Sequence, residues 1–141
     1  MTLCIRSYKS DDEDTVVELW NQCDLTRPWN DPRQDIACKM KLQPELFLVA
    51  EKDDMIVGSV MAGFDGHRGW INYLAVDPTH RRRGFGRQLI DAAEMRLRSL
   101  GCPKINLQIR DDNRDAIAFY QRIGFAPDPV ISMGKRLPAG E

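Results

Sequence analysis

Residues 81–87 read Arg81-Arg82-Arg83-Gly84-Phe85-Gly86-Arg87 and hold the chain's densest cluster of chemistry. An apolar run, Leu74-Ala75-Val76, feeds this basic turn through Asp77-Pro78, and a helical pattern begins directly after it. The first backbone N–H groups of a helix have no internal partner, so a strand–turn–helix of this kind binds anions. Glycine at 84 and 86 lets the main chain approach a phosphate with no Cβ in the way. The N–H groups of Arg82, Arg83, Gly84, Phe85, Gly86 and Arg87 are therefore predicted to cradle a pyrophosphate.

Three rival phosphate or base readers fail on their own residues. The P-loop pattern G-x-x-x-x-G-K-[ST] is absent. The dinucleotide pattern G-x-G-x-x-G requires glycine at position 89, which is Leu89. Arg83-Gly84-Phe85-Gly86 matches half of an RNA-recognition strand motif, but Arg87-Gln88-Leu89-Ile90 supplies no aromatic for base stacking.

Composition narrows the class. The chain has 141 residues, 43% hydrophobic and 29% charged, with net charge −1. That length and mix fit one soluble globular domain. A near-zero charge gives no global basic field for nucleic acid or a membrane surface. No apolar run approaches the roughly 20 residues of a membrane span. The N-terminal residues lack a signal-peptide layout. Cys4, Cys23, Cys38 and Cys102 are scattered without a C-x-x-C, which argues against a zinc site and fits free thiols in a reducing cytoplasm. Only His67 and His80 are present, so no metal is expected.

The elements that position the turn read as follows. Residues 3–8 alternate as a first strand. Ser10-Asp11-Asp12-Glu13 has capping-box spacing and starts a helix over residues 11–23, with Val16, Val17, Leu19, Trp20 and Cys23 as its apolar stripe. Asn30 or Asp31 caps a second helix with Pro32 at its start, whose buried side is Ile36, Ala37 and Met40. Three strands at residues 46–50, 55–62 and 70–76 form a meander joined by tight turns. After the basic turn, Leu89, Ile90, Ala93, Leu97 and Leu100 recur at helical spacing. A strand over residues 104–109 makes the crossover parallel. Asp111-Asp112-Asn113 opens a further helix that ends at Gly124, and residues from 125 on, with Val130 to Met133, suggest one or two final strands. The segment 24–35 is a polar loop with carboxylates at Asp24, Asp31 and Asp35. Trp29 in that loop either folds back on the core or forms a wall of a substrate pocket.

Two motifs together give a resemblance. Arg81-x-x-Gly84-x-Gly86 matches the Q/R-x-x-G-x-G/A signature of the GNAT acetyltransferases. Asn113-x-x-Ala116-x-x-Phe119-Tyr120-x-x-x-Gly124-Phe125 is similar to that family's second motif. The segments 24–35 and 65–69 look like the bacterial YpeA-type members. The resemblance implies an α/β (α+β) GNAT fold over residues 3–137, with 138–141 as a short tail. Its sheet is mixed and mostly antiparallel, of six to seven strands, flanked by about four helices and splayed between the fourth and fifth strands.

The resemblance also implies roles. Acetyl-CoA is the co-substrate, with no metal. Main-chain N–H groups of Arg82, Arg83, Gly84, Phe85, Gly86 and Arg87 hold its pyrophosphate, Arg81 and Tyr120 belong to the same cofactor-binding set, and main-chain groups of Leu74, Ala75 and Val76 pair with the pantetheine arm beside a bulge near Leu74 or Ala75. Asn113 hydrogen-bonds that arm or simply caps its helix. Tyr120 is the general acid that protonates the leaving thiolate, or packs on the helix face beside Phe119. Related N-terminal acetyltransferases carry a Glu where this chain has Gln108, so the base stays open among Glu51, Asp24, Asp31, Asp65 and water. The acceptor is a small-molecule or peptide amine, with Asp24, Trp29 and Asp31 as candidate contacts. A sensor that binds acyl-CoA without turnover is the alternative. Exposed sheet edges allow a homodimer.

Overall fold

A computed structural model describes residues 3–138. The chain divides into two compact units, Met1–Gln108 and Ile109–Glu141.

The first unit is a five-stranded sheet in the order β1 (Cys4–Ser7), β2 (Phe47–Lys52), β3 (Met55–Phe64), β4 (Gly69–Val76), β5 (Ile105–Leu107). Neighbours run antiparallel except β4 and β5, which are parallel. Three helices belong to this unit: α1 (Glu13–Gln22), α2 (Pro32–Leu42) and α3 (Phe85–Ser99). The sheet is mixed and mostly antiparallel, as the sequence suggests, but it is smaller. No strand forms among residues 126–138, and β5 is three residues long rather than six. The apolar residues there, Val130, Ile131 and Met133, are 76, 88 and 90% exposed, so the run 130–133 buries no face against a neighbour.

The first helix is preceded by a 3-10 turn, Ser10–Asp12, and the reciprocal carboxylate is Asp12, which accepts from the Lys9 N–H at 2.8 Å. The expected capping pair is thus displaced by one residue, because Asp12 is also held by Arg6 at 2.8 Å. Asp31 caps α2 by accepting from the N–H of Arg33 and Gln34. On α2, Ile36 is buried as expected, but Ala37 is exposed and Lys39 takes the inward position.

The core has Trp20, Phe47, Leu48, Val49, Val60, Leu89, Ile90 and Leu97 at its centre, each within 1% of full burial. The α3 stripe follows the expected spacing except at Leu100, which is 46% exposed. Gly58 sets how close α3 comes to the sheet. A Cβ there would lie 2.8 Å from Leu89 Cδ1 and 3.0 Å from the Ala75 carbonyl. Gly58→Ala is therefore expected to cost about 1–3 kcal/mol, the usual range for overpacking a closed core. Chemical denaturation measures it, and an unchanged midpoint would mean that the helix shifts freely.

The second unit contains α4 (Arg114–Arg122). Asn113 caps it, its Oδ1 accepting from Ala116 N at 3.1 Å. The helix closes when Phe125 N donates to the Tyr120 carbonyl at 2.9 Å. No helix of the described residues is long and apolar enough to cross a membrane.

Candidate acyl-transfer site

β4 is the element on which the candidate site is built. It pairs with β5 only through Gly69, Trp70 and Ile71, then runs on to Val76 without β5 beside it. The sheet is therefore open on that side of the strand's last five residues, Asn72 to Val76. On the other side the register with β3 slips between Ser59 and Met61, so that Tyr73 and Leu74 stand opposite Val60. This is a β-bulge. Tyr73 sits in the left-handed region with φ 52°, which a bulky side chain adopts only when its surroundings hold it there.

Those surroundings are specific. Ser59, fully buried, donates to the Tyr73 carbonyl at 2.9 Å and accepts from Trp20 Nε1 at 2.8 Å. The indole of Trp20 stacks on the Tyr73 ring with centroids 3.8 Å apart. The phenol of Tyr73 then donates to Asp35 on α2 at 2.6 Å. One hydroxyl, one indole and one carboxylate thus fix the bulge from three elements. Burial and the Asp35 hydrogen bond push the Tyr73 phenol well above its ordinary value.

Past Val76 the strand is stopped by Asp77, which accepts from Thr79 N at 2.9 Å and Thr79 Oγ1 at 2.8 Å. Those bonds hold its carboxyl below the usual range. The turn continues through Arg82 (φ 64°) and Gly84 (φ 79°) into α3. Arg83 between them is not left-handed, and residues of alternating hand in a turn direct main-chain N–H groups to a common concave side. Gly84 is the N-cap and supplies no side-chain hydrogen bond. α2 and α4 each have a side-chain cap, whereas α1, like α3, has none. The N-terminal donors of α3 are therefore left open to an outside acceptor. Arg82, Arg83 and Arg87 are exposed and enter no ion pair among the described residues. Arg81 folds back, its Nε donating to the Val76 carbonyl at 3.3 Å, where the Cys23 thiol also donates at 3.3 Å.

The carboxylates weighed as bases are all committed to protein partners. Glu51 pairs with Arg6, and Asp24 with Arg27 at 3.0 Å. Asp31 caps α2. Asp65 accepts from His67 N, Arg68 N and Trp70 Nε1, and those bonds hold it below the usual range. Trp29 is 53% exposed in its loop. Among the described residues no cluster of three or more His, Cys, Asp or Glu is placed to hold a metal.

In the second unit, Tyr120 packs edge-on against Phe119 and Phe125, with centroids 5.1 and 5.4 Å away. Burial pushes its phenol well above the ordinary tyrosine value. Asn113 makes its cap and carries an amide donor besides.

Sequence reasoning overlooked the support of the bulge. Ser59 is the single hydroxyl in the apolar run of β3, and a lone polar residue in such a run must find a partner once buried. That signal was readable, although its partners, 39 and 14 residues away, were not.

Residues 13–125 match the model of the acetyltransferase (GNAT) family. An acetyltransferase of Yersinia pestis (strain Pestoides F) is 50% identical over 133 residues, covering 94% of each chain. Among solved structures, Ard1 from Thermoplasma volcanium superposes with a TM-score of 0.80 at 27% identity, covering 89% of this chain and 84% of that one. AAC(6')-Iy, solved with the bisubstrate analogue CoA-S-monomethyl-acetylneamine, shares the fold with a TM-score of 0.74 at 19% identity, covering 97% and 100%. An open fourth strand, a bulge and an uncapped glycine-rich helix start are thus found in a chain that belongs to the GNAT acetyltransferase family. It is an enzyme of the N-acetyltransferase class.

Proposed function

We propose that this enzyme moves an acetyl group from acetyl-CoA to a primary amine of a small molecule or peptide by direct attack. The observation that carries the reading is the continuity of β4 with the uncapped start of α3. A strand edge open from Asn72 to Val76 leads, through a 3-10 turn at Pro78–His80 and the left-handed Arg82 and Gly84, to a helix start with no side-chain cap. The pantetheine arm pairs along the former like an added strand, with Leu74 and Val76 as partners and Ala75 between them. The pyrophosphate docks on the latter, at Arg82, Arg83, Gly84, Phe85, Gly86 and Arg87. Arg81 supports the end of the track through its bond to the Val76 carbonyl. By its motif position, the amide of Asn113 donates to the arm.

The chemistry balances simply. The acceptor, which arrives as an ammonium, first loses one proton to water, and the neutral amine then attacks the thioester carbon, forming a C–N bond. The tetrahedral intermediate collapses, the C–S bond breaks, and the phenol of Tyr120 gives its proton to the departing thiolate. The proton lost by the nitrogen passes to water, because the carboxylates above are engaged elsewhere. Burial keeps the phenol protonated through the neutral range while making it a weaker acid than a free tyrosine, so the proton moves only once a basic thiolate is being expelled.

The test is release of free thiol from acetyl-CoA across amino acids, peptide N-termini, polyamines and aminoglycosides, with acetyl-CoA binding measured by calorimetry. Amine-dependent thiol release supports the reading. Tight binding with no amine-dependent release across the panel favours a sensor.

A further inference from the structure

An open cavity of about 520 Å³ lies on the first unit against α2, between that helix and the bulged region of the sheet. Leu25, Leu42 and Met61 give it apolar walls, and Asp35, Lys39 and Tyr73 give it polar ones. Asp35 is the single carboxylate in that lining. We infer that Asp35 is the docking point for the acceptor's ammonium group, and that the acceptor is a compact amine presenting one positive charge on a short apolar stem. The inference deepens the proposed amine acetylation and rests on it.

Four observations converge. First, of the carboxylates in residues 24–35, Asp24 is turned onto Arg27 and Asp31 onto the start of α2. Asp35 instead faces the cavity, where its Oδ2 accepts from the Tyr73 phenol. A carboxylate offers about four acceptor positions, so one phenol leaves capacity for an ammonium. Second, the Tyr73 hydroxyl donates to Asp35, which leaves the phenol oxygen as a second acceptor for the same ammonium. Third, Tyr73 belongs to the bulge, lies within the open edge Asn72 to Val76 and directly precedes Leu74. The residue that meets Asp35 is therefore part of the same strand as the track proposed for the donor. The stack on Trp20 and the bond from Ser59 hold that position rigid. Fourth, the charges count out to one. Lys39, a turn along α2 and about 6 Å up its axis, lines the same cavity with its Nζ on the Ala62 carbonyl. A second ammonium on the acceptor would meet this amine and no acid.

The experiment reads binding rather than turnover. Trp20 stacks on Tyr73, so its fluorescence reports on the site. Replacing the other two tryptophans, Trp29→Phe and Trp70→Phe, makes Trp20 the sole reporter. In that protein n-butylammonium is expected to produce a saturable change, while n-butanol and butyrate do not. The dication 1,4-diaminobutane should bind no tighter than butylammonium. Asp35→Asn keeps an acceptor for Tyr73 but removes the charge. It should weaken butylammonium binding about tenfold or more, the effect of one charge-assisted hydrogen bond. Asp35→Glu keeps the charge and should retain measurable binding. A change that never saturates, equal binding of butanol, or an Asp35→Asn affinity within twofold of the parent would overturn the proposal. Equal loss in Asp35→Asn and Asp35→Glu would do the same, since the role would then be structural. Acetyl-CoA calorimetry on the same protein separates the two ideas. Butylammonium bound through Asp35 with no acetyl-CoA bound would keep the cation site and remove the acetyl-transfer reading.

Discussion

Replacing Gly86 with aspartate removes measurable coenzyme A binding while the thermal midpoint holds or rises. Gly86 is the second residue of α3, after the N-cap Gly84 and Phe85. An aspartate there is good for the helix. It leaves behind the entropic cost of a helical glycine, and its charge faces the positive end of the helix dipole, worth about 0.3–1 kcal/mol. The same charge is ruinous for a bound pyrophosphate. Like charges about 4 Å apart repel by roughly 1 kcal/mol in water and about 4 kcal/mol near a protein surface. Two phosphate groups feel it, and the new side chain also fills the space they need. A loss of at least about 100-fold follows, equivalent to about 2.7 kcal/mol. Calorimetry with coenzyme A and a thermal melt, run on the same sample, give both readings. Coenzyme A binding within threefold of the parent would place the pyrophosphate elsewhere. Because stability and binding are expected to move in opposite directions, a misfolded variant cannot imitate the result.

The legibility of this chain follows the range of its interactions. The strand–turn–helix at residues 74–87 is local, and the types and order of its residues were enough to read it. Asp77, Gly84 and the α3 stripe lie where the sequence places them. The opening between β4 and β5 came with the family resemblance, and its extent is now set by pairs at Gly69, Trp70 and Ile71. Long-range contacts were not readable. The phenol of Tyr73 meets Asp35 across 38 residues, and Trp20 meets Ser59 across 39. Neither pair leaves a periodic trace. Lys39 was hidden for a different reason. A lysine on a helix reads as solvent-facing, but the carbonyl of Ala62 receives its Nζ, so burial is tolerated, and desolvation draws its pKa below the ordinary value. The final strand failed because strand propensity in residues 130–133 is a weak cue without a partner strand to pair with.

The bulge also ties the open strand to the cavity beside α2. Tyr73 gives its carbonyl to Ser59 and its phenol to Asp35, so one residue anchors the open strand and faces the cavity. On the proposed reading this arrangement offers the donor track and the acceptor site, and Tyr120 is the residue proposed to protonate the leaving thiolate. Tyr120→Phe is expected to lower kcat about 100-fold or more, within the range for loss of a general acid. The substitution removes one oxygen and keeps the ring, so the edge-on contacts with Phe119 and Phe125 survive and α4 still closes through Phe125 N. The affinity for acetyl-CoA should therefore be unchanged. The pH dependence carries a sign. Burial raises the Tyr120 phenol above the ordinary value of about 10, so the acid form persists to higher pH than for a free tyrosine. An alkaline fall in kcat caused by this group then begins above pH 10, and acidification below neutrality does not affect its protonation. Steady-state thiol release with the best amine of the panel, for parent and variant across pH, checks both points. A kcat within twofold of the parent would show that the thiolate leaves without help from this phenol, the thiol of coenzyme A being acidic enough to depart alone.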